Sequence, residues 1–380
     1  YDQAFELISK MEKSGRLIYW KAKTLRSLGR DNDALDILEG KQLDNDLVAE
    51  RIYLKSLILY DFKKYEESME NLLNFKNIYP SHKKNFEVDY QLALNYLALN
   101  KIDDAELIFQ NLITLKSQKI SNQAKIIFAS ILLDYRKDKI ESKRLLDEVY
   151  NSETAQIPNK FISLKILVNL FLKENDLSSA ILYLENSIRW LPSNNRFEIK
   201  KKLIELCSEM KMYNDALKWI DAARTEEISH SDAVNLQFNK SNVLLKLDRF
   251  DDAAFSYQIL LDVVDDPNQV SSAYYGRGLA LWNLNRFNES ANMFKRSASI
   301  AVDKSLRNQS LLKAGDSYYE SEQYLKSEEY YQVFLEENPS HQLRAQALYQ
   351  LGLSVARIGR RSDASKIFKG IYLDYPNSDF

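Results

Sequence analysis

The most regular feature of the chain is a small residue followed four positions later by a bulky apolar one, recurring at a nearly constant interval. The small residues are Ala34, Ser68, Ala105, Ser142, Ala180, Ala216, Ala253, Ser290, Ser327 and Ala364. Their partners are Leu38, Leu72, Phe109, Leu146, Leu184, Ile220, Tyr257, Phe294, Tyr331 and Phe368. Eight of the nine intervals lie within one residue of 37, and the first is 34. Positions i and i+4 stack on one helical face, so the pattern predicts a helix B whose small residue lets a neighbouring backbone approach. Twelve residues earlier a small or apolar residue recurs, with an apolar one three further on, as in Ala22 and Leu25, Ala93 and Tyr96, Gly278 and Leu281, Gly315 and Tyr318, and Gly352 and Val355. That spacing predicts a helix A packed on its own helix B. The stretches between them, such as LGRDND, LNKIDD, LDRFDD, LNRFNE and IGRRSD, are too short for anything but an antiparallel hairpin.

An acid precedes the small residue in most repeats: Asp33, Glu67, Asp104, Glu141, Asp215, Asp252, Glu289 and Asp363. Carboxylates in the first turn of helix B meet the positive end of its dipole, each contributing roughly 0.3 to 1 kcal/mol. No metal or catalytic role is needed to explain them. With 9 Gly and 6 Pro in 380 residues, turns are few and helix dominates. The 52 Lys and Arg are nearly balanced by 54 Asp and Glu, which argues against a broad nucleic-acid footprint. Cys207 is the only cysteine, so neither an intrachain disulfide nor a cysteine metal cluster is expected. No stretch of about 18 apolar residues suggests a membrane span, and YDQAFELISKMEKSG has no signal-peptide form.

These residues resemble the tetratricopeptide repeat, whose signature runs W-x2-L-G-x2-Y, A-x3-F, P. The last repeat offers Leu351, Gly352, Val355, Ala364, Phe368 and Pro376, and the one before it Gly315, Tyr318, Ser327, Tyr331 and Pro339; the terminal proline recurs as Pro80 and Pro192. The resemblance implies an all-α, α-α superhelix, a solenoid of about ten antiparallel hairpins. It covers 1–380 as a single array: 1–14 the second helix of a truncated repeat, 15–122 repeats one to three, 123–233 degenerate repeats four to six, and 234–380 repeats seven to ten. Lys55, Ser130, Ile204 and Cys207 depart from the pattern, and the middle repeats are the expected place for an irregular hairpin. Tyr1-Asp2-Gln3-Ala4 has the form of a helix B start, and Phe380 stops where another helix A would begin, so a fragment of a longer protein is expected. The lengthened period and phrases such as NIYPSH and EENPSH resemble repeats of bacterial envelope proteins. That favours the periplasm or cell envelope over the cytoplasm.

The resemblance places the inner face of the superhelix on helix A. Its fifth position is aromatic in six of ten repeats, Tyr19, Tyr53, Tyr90, Phe238, Tyr275 and Tyr349, with Ile127, Lys165, Lys201 and Leu312 in the others, and the twelfth adds Tyr60, Trp282 and Tyr319. Such rings either receive a partner segment, giving much contact area at little entropic cost, or pack against the neighbouring A helix. Lys165 and Asn169 match the first pair of the carboxylate clamp found in some chaperone cofactors. Lys202, Glu198 and Glu205 in the next repeat contradict the rest of it. A basic cluster, Lys10, Lys13, Arg16, Lys21, Lys23, Arg26 and Arg30, forms either a solvated face or a contact patch, with Arg16, Lys23 and Arg26 as its candidates. No phosphate-binding glycine loop or H-E-x-x-H is present. His82, His230 and His341 fall near loops, and Cys207 takes a helix A core position. The expected function is a non-catalytic scaffold that binds a protein or peptide, with no cofactor, metal, nucleic acid or membrane insertion. The alternatives are self-association or a structural place in a larger envelope assembly, and, more remotely, the regulatory arm of an enzyme.

Overall fold

A computed structural model describes residues 15–39, 47–115, 118–338, 342–376 and 378. The expected helix at 1–14, with Lys10 and Lys13, lies outside the described residues, as do Pro339 and His341. The fold is an all-α array of helical hairpins, with no strand among the described residues. Odd-numbered helices are the A helices and even-numbered ones the B helices. The first five hairpins are α1 (Gly15–Ser27) with α2 (Asp31–Glu39), α3 (Val48–Asp61) with α4 (Tyr65–Ile78), α5 (Asn85–Ala98) with α6 (Ile102–Ile113), α7 (Gln118–Ile131) with α8 (Lys139–Asn151), and α9 (Ile157–Lys173) with α10 (Leu177–Ser187). The other five are α11 (Ser193–Glu209) with α12 (Tyr213–Ala223), α13 (His230–Lys246) with α14 (Phe250–Leu261), α15 (Pro267–Asn283) with α16 (Phe287–Ile300), α17 (Lys304–Glu320) with α18 (Tyr324–Glu337), and α19 (Arg344–Arg357) with α20 (Arg361–Asp374). The chain divides into two compact units, Tyr1–Tyr183 and Leu184–Phe380, within α10.

One backbone device closes every hairpin among the described residues. The turn residue lies in the left-handed region: Gly29, Lys63, Asn100, Lys137, Asn175, Lys211, Asp248, Asn285, Glu322 and Gly359, with φ between 56° and 98°. The next N–H then reaches back five residues to a carbonyl of helix A, as Arg30 does to Leu25 and Gln323 to Tyr318, capping carbonyls the helix end would leave unpaired. Hairpin four differs. Its A helix widens into a π turn, Leu132–Arg136, and the reach becomes six residues, from Asp138 N–H to Leu132. Arg136 pairs from that turn with Asp103 and Glu106 of α6.

Helices A and B fit by matched size across positions sixteen residues apart. Methyl groups at Gly278, Gly315 and Gly352 would lie 2.7, 2.8 and 2.5 Å from the rings of Phe294, Tyr331 and Phe368. Where Leu replaces the ring, Ala or Ser can replace the glycine, as in Ala22 with Leu38 and Ser56 with Leu72. The recurring serines have a second reason to be there. Ser68, Ser142, Ser290 and Ser327 donate from B to the A-helix carbonyls of Ser56, Ala129, Gly278 and Gly315 at 2.8–3.0 Å. Each buried hydroxyl thus finds an acceptor and adds a polar tie to the apolar contact.

Candidate protein-binding faces

Within the N-terminal unit each A helix from α1 to α9 touches the next, and within the C-terminal unit so does each from α13 to α19. Successive B helices make no comparable approach, so the A layer is the tighter side of the curve in each unit. The exception is α11 and α13, whose backbones approach less closely. The space between them is a pocket of about 520 Å3 lined by Glu198, Lys201, Lys202, Glu205, Asp232 and Asn235, among others. Lys201 pairs there with Glu198 at 3.1 Å and Asp232 at 3.5 Å, and Lys202 with Glu205 at 2.9 Å.

The nine aromatic candidates all lie on A helices and all are half-buried. Most rest on a second ring in their own hairpin. At the fifth position Tyr90 meets Phe109, Tyr275 meets Phe294 and Tyr349 meets Phe368, with centroids 5.9, 5.4 and 5.8 Å apart. At the twelfth, Tyr60 meets Tyr65, Trp282 meets Phe287 and Tyr319 meets Tyr324, at 5.3, 5.0 and 5.3 Å. Tyr19 lies edge-on to Trp20 at 5.3 Å and Phe238 packs beside Val234 and Tyr257. Burial raises the hydroxyl pKa of Tyr19, Tyr60, Tyr90 and Tyr275 and pushes that of Tyr53 up to about 12.

Cations on the following repeat, absent from the sequence reading, complete three of these rungs. Lys84 lies over Tyr53 at 5.2 Å, Lys313 over Trp282 at 5.3 Å, and Arg357 donates from Nε to the Tyr319 hydroxyl at 3.2 Å. The two lysines stand 31 residues beyond their rings, a register visible only once adjacent A helices are known to be neighbours.

The basic candidates are divided by the structure. Arg16 and Lys23 are exposed on α1, whereas Arg26 is engaged by Asp61 at 2.6 Å. Lys165 and Asn169 are exposed on α9, with Lys165 over Phe161 at 4.3 Å. Of the histidines, His230 opens α13 at the surface, but His82 is half-buried, edge-on to Phe75 at 5.3 Å and 3.7 Å from Glu50. Cys207 is fully buried, and desolvation pushes its thiol up to about 11. Among the described residues no group of three His, Cys, Asp or Glu could hold a metal ion, and no helix is long and apolar enough to cross a membrane.

Tetratricopeptide-repeat family models match residues 238–301 and 309–341, which together span α14 to α18 with the adjoining part of α13. Comparison with solved structures gives similar folds. MamA from Desulfovibrio magneticus RS-1 is 15% identical over 47% of this chain and 95% of its own, with a TM-score of 0.40. PilW, a widely conserved type IV pilus biogenesis factor, is 15% identical over 57% of this chain and 94% of its own, at 0.41. YrrB, a tetratricopeptide-repeat protein with an unusual peptide-binding site, is 18% identical over 49% and 90%, at 0.39. A comparison with proteins of curated function finds no match.

Proposed function

Because the chain is a tetratricopeptide-repeat protein, we propose that it is a non-catalytic scaffold that binds a protein or peptide through the A face of each unit. The observation that carries this reading is the state of the aromatic rungs. Tyr60, Trp282 and Tyr319 are held by a ring of their own hairpin yet remain partly open to solvent. A ring already fixed in place loses little conformational freedom when a partner covers it, so its apolar area converts to affinity at low entropic cost. The cations at Trp282 and Tyr319 add donors for backbone carbonyls or acidic groups.

The test is capture of partners by the intact chain and by a variant carrying Trp282→Ala and Tyr319→Ala. The variant is expected to keep its helical circular dichroism and lose capture; equal capture by both proteins would refute this reading. A second reading, membership of a larger assembly through the B face, is favoured at one helix. Phe255 is 69% exposed on α14, and Ile259 and Val263 continue the same row at 39% and 45%. Light scattering across a concentration series checks it. Association that Phe255→Glu abolishes supports this reading, and a monomer at every concentration excludes self-assembly through that row.

A further inference from the structure

The helix α1 carries Arg16, Lys21, Lys23 and Arg26 in thirteen residues and no carboxylate. With α3 and the start of α5 it walls a cavity of about 430 Å3, whose lining includes Tyr19, Lys23, Arg26, Glu50, Tyr53 and Lys84. Of the four charged groups, Arg26 is paired with Asp61 at 2.6 Å, and Glu50 lies 3.7 Å from His82, which offsets its charge only when protonated, so two lysines face one carboxylate. The other two are engaged differently. The Lys23 ammonium lies 4.8 Å from the centre of the Trp20 ring and the Lys84 ammonium 5.2 Å from that of Tyr53. Neither makes an ion pair among the described residues. A ring face orients an ammonium without neutralising it. These two lysines, one from α1 and one from the start of α5, therefore bring positive charge to the cavity lining. In the pocket between α11 and α13 the lysines are already matched to Glu198, Asp232 and Glu205.

We propose that the cavity between α1 and α3 takes side-chain carboxylates of an acidic segment in a partner protein. The carboxylates sit between Lys23 and Lys84, with a neighbouring apolar side chain against Tyr19, Tyr53 and Leu57. This rests on the A-face reading and names the partner chemistry at one end of it. Complementary charge at an open site acts through encounter rate and selectivity, so the binding weakens as salt rises.

The probe is a fluorescein-labelled nine-residue peptide, blocked at both ends, with four carboxylates around one phenylalanine. Its control has every Asp and Glu replaced by Asn and Gln. Fluorescence anisotropy with the full chain at low ionic strength is expected to show the amide form binding roughly tenfold weaker or worse. Lys23→Gln with Lys84→Gln brings the acidic peptide to the same level, and Lys23→Arg with Lys84→Arg keeps it. Lys201→Gln with Lys202→Gln removes equal charge elsewhere and leaves binding unchanged. Equal binding of both peptides, or an equal loss in the Lys201 and Lys202 variant, overturns the proposal. So does co-sedimentation of the chain with phosphatidylserine vesicles when the peptide does not bind, which assigns the basic surface to a membrane. Trp282 and Tyr319 do not line this cavity, so failure of the aromatic-rung test leaves the peptide result standing, and the reverse also holds.

Discussion

Gly315→Ala adds one methyl to α17 at a point 2.8 Å from the Tyr331 ring. Tyr331 is 1% exposed, and its hydroxyl donates to Asp316 at 2.6 Å, so the ring has little room to withdraw. Hairpin three houses Ala93 opposite Phe109 and hairpin seven Ser241 opposite Tyr257, whose hydroxyl is tethered to Asn242, so the cost at Gly315 depends on how far the Tyr331 ring can shift. Overpacking a well-filled core costs about 1–3 kcal/mol, while alanine in a helix interior gains about 1 kcal/mol over glycine. The net expectation is a loss of about 0–2 kcal/mol. Gly370 in α20 supplies the internal standard, because nothing lies within 4 Å of a methyl placed there. Gly370→Ala is therefore expected to stabilise by up to about 1 kcal/mol. Urea unfolding followed by helical circular dichroism reads both. A third variant, Gly315→Ala with Tyr331→Leu, restores the small-with-Leu pairing of hairpins one and two. Its destabilisation is expected to fall short of the sum of the two single changes by more than about 0.5 kcal/mol. If Gly315→Ala is as stabilising as Gly370→Ala, or the two changes simply add, the size matching across the hairpin is not what the glycine is for.

Four further outcomes follow from the turns and the buried groups. Lys63, Lys137, Lys211 and Glu322 hold a left-handed turn that glycine adopts freely. Glycine at any one of them is expected to raise stability by up to about 1 kcal/mol, and Gly359→Ala to lower it by about 1–2 kcal/mol, in the same urea assay. Lys200, with its side chain 8% exposed, bonds Glu226 at 2.5 Å and the Ala222 carbonyl at 2.8 Å. Lys200→Ala should cost about 3 kcal/mol by stranding the carboxylate, and pairing Lys200→Met with Glu226→Leu should recover most of it. Burial raises Tyr53, Tyr257 and Tyr331 above the ordinary tyrosine value of 10. Folding therefore favours their protonated forms, and the melting temperature should be unaffected by these groups below pH 10 and fall as pH rises above it. Cys207, raised by the same cause, should react with a thiol reagent at pH 8 only after unfolding.

The hairpin period was legible in the sequence because it is a packing constraint. A small residue and a bulky one four later occur wherever two helices must cross closely, and all ten turns fall at one fixed distance before the small residue. The chemistry of those turns was less legible. Asn100, Asn175 and Asn285 suit a left-handed turn, but Lys63, Lys137, Lys211 and Glu322 have no such preference, so their φ is imposed by the packing of the two helices. The aromatic positions on helix A could be read, and their half-burial could not, because Tyr65, Phe287 and Tyr324 at the starts of the B helices contact them only in the folded hairpin. The sequence places His82 near a loop and does not show what packs on it. Phe75 and Tyr79 at the end of α4 cover its ring, a contact between a helix end and the loop that follows.

The junction between hairpins six and seven brings several of these departures together. Ile204 stands where the next repeat has Ser241 and the last three have glycine, the backbones of α11 and α13 approach less closely than other successive A helices of the unit, and α12 and α13 are the most sparsely packed neighbours in the C-terminal unit. Pockets open on both sides of α13, about 520 Å3 toward α11 and about 280 Å3 between α12 and α14. Beside the apolar contact of Leu217 with the Leu244 cluster, two ion pairs span the junction: Lys201 to Asp232 at 3.5 Å on the A side and Lys240 to Asp221 at 2.9 Å on the B side. Exposed pairs of this kind contribute about 0–1 kcal/mol each and are screened by salt, far less than a buried apolar contact at the same place. In an array whose repeats hold only their neighbours, the weakest interface decides where the chain opens. Amide hydrogen exchange is therefore expected to be faster in α12 and the first turns of α13 than in α16 and α17, and to accelerate there with added salt. Uniform protection across the C-terminal unit, or protection at this junction that salt does not change, would show that apolar contacts hold it as firmly as the rest.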